Sequence, residues 1–195
     1  KFLKCSWKQA NDLAKQDNKF IFVNFYTDGC PWCKVMDKNT FSDQGVADYM
    51  QSQFVSYKLE MEKDSLGKLL SMKYAITGFP SYLIINPDGT LHTILVGYME
   101  IDAWIQTLEE VMSAATPSRP SISTNLVLDW PDFYKDAFGQ NGKRKSPEKE
   151  EVIAYLKQNK PDSEVPFIIS KRYSFWLPDN SSAEILDSRA QLSDF

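Results

Sequence analysis

The chain has 195 residues, 43% hydrophobic, with 22 basic against 26 acidic side chains and a formal net charge of -4. That length holds one domain with a proper core, or a domain of about 110 residues with an appendage. The acid excess gives no polyanion-binding surface, so nucleic acid is not expected as a partner; no window approaches 18 consecutive apolar residues, so no membrane span is expected.

Residues 1–115 alternate helical and strand-like stretches. In SWKQANDLAKQDNK, Ser6 is placed to cap a helix whose apolar face is Trp7, Ala10, Leu13 and Ala14. FIFVNFY (20–26) is a nearly continuous apolar run, which predicts a strand buried on both faces. WCKVMDKN predicts a helix opening at the cysteines and breaking near Asn39–Thr40, and SDQGVADYMQSQ a second short helix. FVSYKLEM (54–61) predicts a strand and DSLGKLLSMKY a helix. SYLIIN and LHTILVGY flank the turn signal PDG (87–89), the pattern of an antiparallel hairpin. IDAWIQTLEEVMSA closes this half as an amphipathic helix with Ile101, Trp104, Ile105, Leu108 and Met112 on one stripe.

Composition then shifts. ATPSRPSIST (115–124) has two prolines and no core-forming run, so 116–124 is expected to be a linker between a first domain, 1–115, and a mainly helical region, 125–195. Ser146-Pro147-Glu148 has the order of a cap, a first-turn proline and an early acid. Val165, Ile168, Ile169, Arg172, Tyr173 and Trp176 follow helical spacing up to Pro178, and Ser181 with Glu184 is spaced as a capping box.

The chemistry is concentrated in DGCPWCK (28–34), which places Cys30 and Cys33 two residues apart in a chain with three cysteines. Three cysteines are too few for a disulfide-dense scaffold. A thiol attacks a disulfide only as the thiolate. Where the strand ends and a helix begins, free N–H groups and the positive helix end stabilise a negative sulfur at Cys30. Pro31 suits the first helical position, Lys34 adds a cation and Asp28 opposes it. Cys33, one turn on, is expected to be the more buried. Cys30 would attack a partner's disulfide and Cys33 would release the mixed disulfide, with Trp32 offering an apolar contact to the substrate. A zinc site would need two further ligands, for which the chain offers Cys5 and His92. A purely structural disulfide would close too small a loop to restrain the unfolded chain much. Neither metal nor cofactor is expected.

With FVNFYTDGCPWCK, YKLEME (57–62) and KYAITGFPSYLIINPDG (73–89) in this order, residues 5–114 resemble thioredoxin. The resemblance implies an α/β thioredoxin fold, a central mixed sheet flanked by helices, followed by the C-terminal extension. It implies a cis bond before Pro80, which would face the cysteines, and a Phe79 backbone able to pair with an extended substrate strand. It implies a thiol–disulfide oxidoreductase, catalytic through Cys30 and Cys33, with Pro31, Trp32, Lys34, Phe79, Pro80 and Lys58 shaping the groove or tuning the thiols. Protein disulfides and a thiol electron donor are the expected partners, and a reductant the expected direction. Three departures stand out. The family's buried aspartate, six residues before the first cysteine, is Asn24. Lys58 thereby loses its ion-pair partner, with Glu60 as a substitute to be considered, and the tryptophan before the first cysteine is Gly29. The opening and MDKNTFSD look more like thioredoxin-like domains of exported bacterial proteins, such as the soluble thiol-exchange domain of the transmembrane reductant carrier. Together with a first residue, Lys1, that is not Met, this sets the expectation of a periplasmic or otherwise exported protein, with a cytoplasmic one as the alternative.

A second class of function is a redox-sensing or partner-binding module whose residues 125–195 recognise a specific protein. A peroxidase using Cys30 has no Thr/Arg arrangement to support it. Cys5 is read as a half-buried small hydrophobe, His92 as a surface residue, and GKRKSPEKEE (142–151) as a solvated loop and helix start.

Overall fold

The computed structural model describes residues 2–3, 5–113, 122, 124–160 and 163–177. They belong to two compact units, Lys1–Met61 with Gly78–Pro117, and Glu62–Thr77 with Ser118–Phe195.

The first unit is built on a four-stranded sheet in the order β2-β1-β3-β4, with β1 Phe20–Tyr26, β2 Phe54–Glu60, β3 Ser81–Ile85 and β4 Leu91–Val96. β1 runs parallel to β2 and antiparallel to β3, and β3 runs antiparallel to β4. The unbroken apolar run of β1 follows from this central place, where both faces are covered. The β3–β4 turn uses Gly89 at φ +91°, a conformation that favours glycine.

Helix α1 (Trp7–Asp17) begins at Ser6, whose hydroxyl and backbone exchange hydrogen bonds with Gln9 in a full capping box. It buries Ala10 and Ala14, and Trp7 meets Tyr57 edge-on at 5.9 Å. The other face of the sheet is aromatic. Phe22 stacks on Tyr82 at 5.7 Å and Trp104 meets Tyr82 at 4.7 Å. Met36 of α2 (Pro31–Asn39), Val46 and Met50 of α3 (Gln44–Gln53), and Leu108 of α5 (Ile101–Ser113) close this core. The α5 stripe packs as its spacing predicts: Trp104 and Leu108 are buried, and Ile101, Ile105 and Met112 lie against the same core. α2 does end at Asn39, and α3 restarts after Asp43, whose carboxylate caps it by accepting from the Val46 N–H.

The second unit contains α4 (Ser65–Lys73), α6 (Asp132–Ala137), α7 (Lys149–Gln158) and α8 (Glu164–Arg172), with a 3-10 turn at Ser174–Trp176. Helix α4 therefore groups with the C-terminal residues, although it lies between β2 and β3 in sequence. Its Lys73 is paired with Glu164 of α8 at 2.7 Å and donates to the Asn125 carbonyl. Tyr134 of α6 donates to the Met72 carbonyl at 2.8 Å.

Two local expectations are corrected. The cap of α7 is Glu148, not Ser146, and Pro147 precedes the helix instead of opening it. The stretch ending at Trp176 is not one helix; α8 stops at Arg172 and a tighter turn follows. Most of the linker expected over 116–124, Pro178, and the final helix expected from Ser181 lie outside the described residues. Among the described residues no helix is long and apolar enough to cross a membrane.

Candidate functional site

The loop TDGC after β1 turns through a hydrogen bond from the Cys30 N–H to the Thr27 carbonyl at 3.0 Å. Its shape is also held by Glu60, at the end of β2, whose carboxylate accepts from the Asp28 N–H at 3.2 Å. Cys30 is then the N-cap of α2, with Pro31 as the first helical residue. The Cys30 sulfur accepts from the Cys33 N–H at 3.1 Å, in the role an N-cap oxygen ordinarily takes. Cys30 and Cys33 are joined by a disulfide, with 5.4 Å between their Cα atoms. Both sulfurs lie in buried residues at the positive end of a helix, where an anion is favoured once the bond is reduced.

Trp32, between them, is 58% exposed. Its ring stacks on Tyr98 at 5.7 Å. The Phe79–Pro80 bond is cis, Phe79 is half-buried and Pro80 is buried. The Pro80 carbonyl accepts from the Gly97 N–H at 2.9 Å, which ties the proline loop to the end of β4 one residue before Tyr98. Gly97 itself sits at φ +101°, so this junction needs glycine. Lys34 is exposed on α2 and has no ion pair among the described residues.

Beneath α2 the sheet carries a polar row. Lys58, Asn24 and Tyr82 are cross-strand neighbours on one face of β2, β1 and β3. Lys58 has not lost its partner, which corrects the sequence reading. Its ammonium is 2.6 Å from the carboxylate of Asp37 on α2 and lies 4.8 Å from the centre of the Tyr26 ring. Glu60 does not take this role, being turned to the Asp28 backbone. Asp37 is the residue that sequence reasoning missed. It lies four positions after Cys33 and seven after Cys30, hence on their helical face, and that spacing was the available signal. Asn24 is buried, and its side-chain oxygen has no hydrogen-bond partner among the described residues. Burial, with the Asp37 carboxylate adding to it, pushes the Tyr82 phenol above its ordinary value.

The other two chemistry-bearing residues stand away from this arrangement. Cys5 is half-buried, and the Tyr57 hydroxyl lies 3.7 Å from its sulfur. Burial, reinforced by Cys5, pushes Tyr57 up to about 12. His92 is buried, not on the surface: its ring nitrogens lie 2.9 Å from the Asn86 side-chain oxygen and from the Val111 carbonyl, and Phe20 meets the ring edge-on. A register shift between β3 and β4 at Ile84/Ile85 lies opposite His92 and interrupts simple strand alternation there.

A model of the thioredoxin-like domain matches residues 7–112, more than half of the sequence. The chain belongs to the thioredoxin-like family. A candidate disulphide-isomerase of Bacteroides thetaiotaomicron is 31% identical in sequence and superposes with a TM-score of 0.53, over 59% of this chain and 94% of that one. A thioredoxin from Thermus thermophilus shares the fold at a TM-score of 0.50 and 23% identity, over 55% of this chain and 84% of that one. The thiol:disulfide interchange protein DsbD of Pseudomonas fluorescens is 30% identical over 107 residues, 51% of this chain. The match covers 18% of that protein, and the chain spans under a fifth of the length of the first curated relatives it matches. On this thioredoxin-like scaffold, a disulfide at the N-terminus of α2 is equipped for thiol–disulfide exchange.

Proposed function

We propose that the chain is a thiol–disulfide oxidoreductase that reduces protein disulfides through Cys30 and Cys33. The observation that carries this reading is the linked pair across the first turn of α2, with Cys30 as the cap. In the reduced form the Cys30 thiolate attacks one sulfur of a substrate disulfide. The Cys30–substrate bond forms, the substrate S–S bond breaks, and the departing sulfur takes a proton. The Cys33 sulfur, deprotonated, then attacks Cys30, re-forming the bond seen here and releasing the second substrate thiol. Two electrons pass to the substrate, and a thiol donor restores the pair.

Trp32 with Tyr98 supplies an apolar shelf for the substrate chain, and the Phe79 backbone at the cis-proline loop pairs with an extended segment. Lys34 places a cation on the helix that carries both sulfurs, and Lys58 acts through Asp37 on that helix. The likeness to DsbD supports an exported setting. The direction follows from the potential: about 30 mV corresponds to about 1.4 kcal/mol in a two-electron couple, so a few kcal/mol at the helix end separate a reductant from an oxidant.

The test is insulin reduction under dithiothreitol, together with the potential of the pair measured against glutathione. The reading expects catalysis that Cys30→Ser abolishes, and a mixed disulfide that accumulates with Cys33→Ser. Turnover that survives replacement of both cysteines would overturn it.

A further inference from the structure

The two ends of α2 meet one short segment, residues 97–100. At the start of the helix Trp32 stands between the cysteines in sequence, largely exposed, with its ring stacked on Tyr98. At the other end is the C-cap, Thr40, which is wholly buried. A threonine in a helix commonly returns its hydroxyl to the carbonyl four residues back. Here that carbonyl, of Met36, already accepts from the backbone N–H groups of both Thr40 and Phe41, each at 3.0 Å, so both its lone pairs are used. The Thr40 hydroxyl instead leaves the helix and donates to the Met99 carbonyl at 2.7 Å.

Met99 directly follows Tyr98. On the other side of Tyr98, the Gly97 N–H donates to the Pro80 carbonyl. The segment is therefore pinned on both sides of the tyrosine, to the proline loop before it and to the end of α2 after it. From there the Tyr98 ring reaches back to the start of the same helix and meets Trp32 at 5.7 Å, with 29° between the ring planes. Stacking alone holds a surface ring weakly, so the two backbone ties fix where Tyr98 stands. The paired rings make a flat apolar platform. Its complement is another flat apolar group, an aromatic side chain next to the substrate cysteine, which extends the stack or meets its edge.

We infer that Thr40 is a positioning residue for substrate recognition, holding Tyr98 through the Met99 carbonyl, and that the platform so held selects protein disulfides flanked by aromatic residues. The inference rests on the thiol–disulfide reading above and gives it a substrate class.

The probes are the symmetric disulfides of two short peptides, with lysines at both ends for solubility and either phenylalanine or alanine on both sides of the cysteine. The full chain is expected to reduce the phenylalanine peptide with a KM several-fold lower than the alanine peptide. Thr40→Val keeps the shape of the side chain and removes the donor. It is expected to raise KM for the phenylalanine peptide several-fold, with kcat and the potential of the Cys30–Cys33 pair unmoved. Thr40→Ser keeps the hydroxyl and should keep the preference, even though the lost methyl lowers the urea midpoint. In a Tyr98→Ala background, Thr40→Val should add nothing, because the two residues act as one unit. Equal KM values for the two peptides would overturn the inference. So would a preference that survives Thr40→Val, a loss in Thr40→Ser as large as in Thr40→Val, or a shifted potential, which would place the effect of Thr40 on the cysteines. A chain that reduces neither peptide would overturn the thiol–disulfide reading itself, and this inference with it.

Discussion

Glu164→Leu isolates the price of a buried charge in the second unit. The Lys73 side chain is fully buried, and that of Glu164 is 21% exposed, with 2.7 Å between the charged atoms. Removing Glu164 takes this carboxylate from Lys73, whose other partners include the Asn125 carbonyl. Breaking a buried pair from one side costs about 3–5 kcal/mol, whereas replacing both members with apolar residues of similar volume is often neutral. Glu164 is partly solvated, so the single variant is expected to lose about 3 kcal/mol, near the lower end. Lys73→Met combined with Glu164→Leu should return to within about 1 kcal/mol of the parent, a coupling of at least about 2 kcal/mol. The sign of the pH dependence follows from Lys73. Burial, only partly offset by Glu164, holds its pKa below the ordinary lysine value of 10.5. Between the lowered native value and 10.5 the unfolded chain binds more protons than the folded one, so this group adds stability as pH rises through that window. Taking away Glu164, which raises the native value, lowers it further and opens the window at a lower pH. The deficit of Glu164→Leu against the parent should therefore shrink between about pH 7 and pH 10. Urea unfolding followed by circular dichroism at both pH values measures it. A deficit that does not change with pH, or a double variant as unstable as the sum of the singles, would refute the reasoning.

Trp32→Ala should raise KM for insulin several-fold and leave both thermal stability and the reduction of a small aliphatic disulfide unchanged, because the ring is exposed and, among the described residues, Tyr98 alone stacks on it; steady-state kinetics with the two substrates separate these effects. Trp104→Ala should cost about 3–5 kcal/mol in urea unfolding, since the ring is wholly buried among Tyr82, Phe22 and Phe41. Ala75→Gly should stabilise by up to about 1 kcal/mol, because Ala75 follows α4 at φ +52°, where a Cβ is strained and glycine is not; a rise in the unfolding midpoint is the readout.

The parts of this molecule that could be read from sequence were those set by local physics. Ser6 caps α1 because a hydroxyl just before the helix reaches a first-turn N–H, here that of Gln9, and the α5 stripe buries Trp104 because its period is that of a helix. The cysteine pair falls at the start of α2 because a buried strand and Pro31 fix where the helix begins. What stayed hidden depends on register and on partners distant in sequence. His92 is buried because of a bulge that no alternation count reveals. Helix α4 joins the C-terminal residues through Lys73, Glu164 and Tyr134, which are 62 to 91 positions apart in their pairings. Ser146-Pro147 has the composition of a helix start, yet the chain runs two residues further before turning helical at Lys149.

The displaced carboxylate at the site shows the same division. From its resemblance to thioredoxin, the sequence should carry an acid at position 24, beside Lys58 on the sheet. Asn24 removes the charge from a place that is 3% exposed, where an ionised carboxylate would be expensive. Asp37 supplies it instead from the helix above, with a side chain that is 40% exposed, and Lys58 stays paired. The net charge under α2 is preserved while the acid moves to where water reaches it.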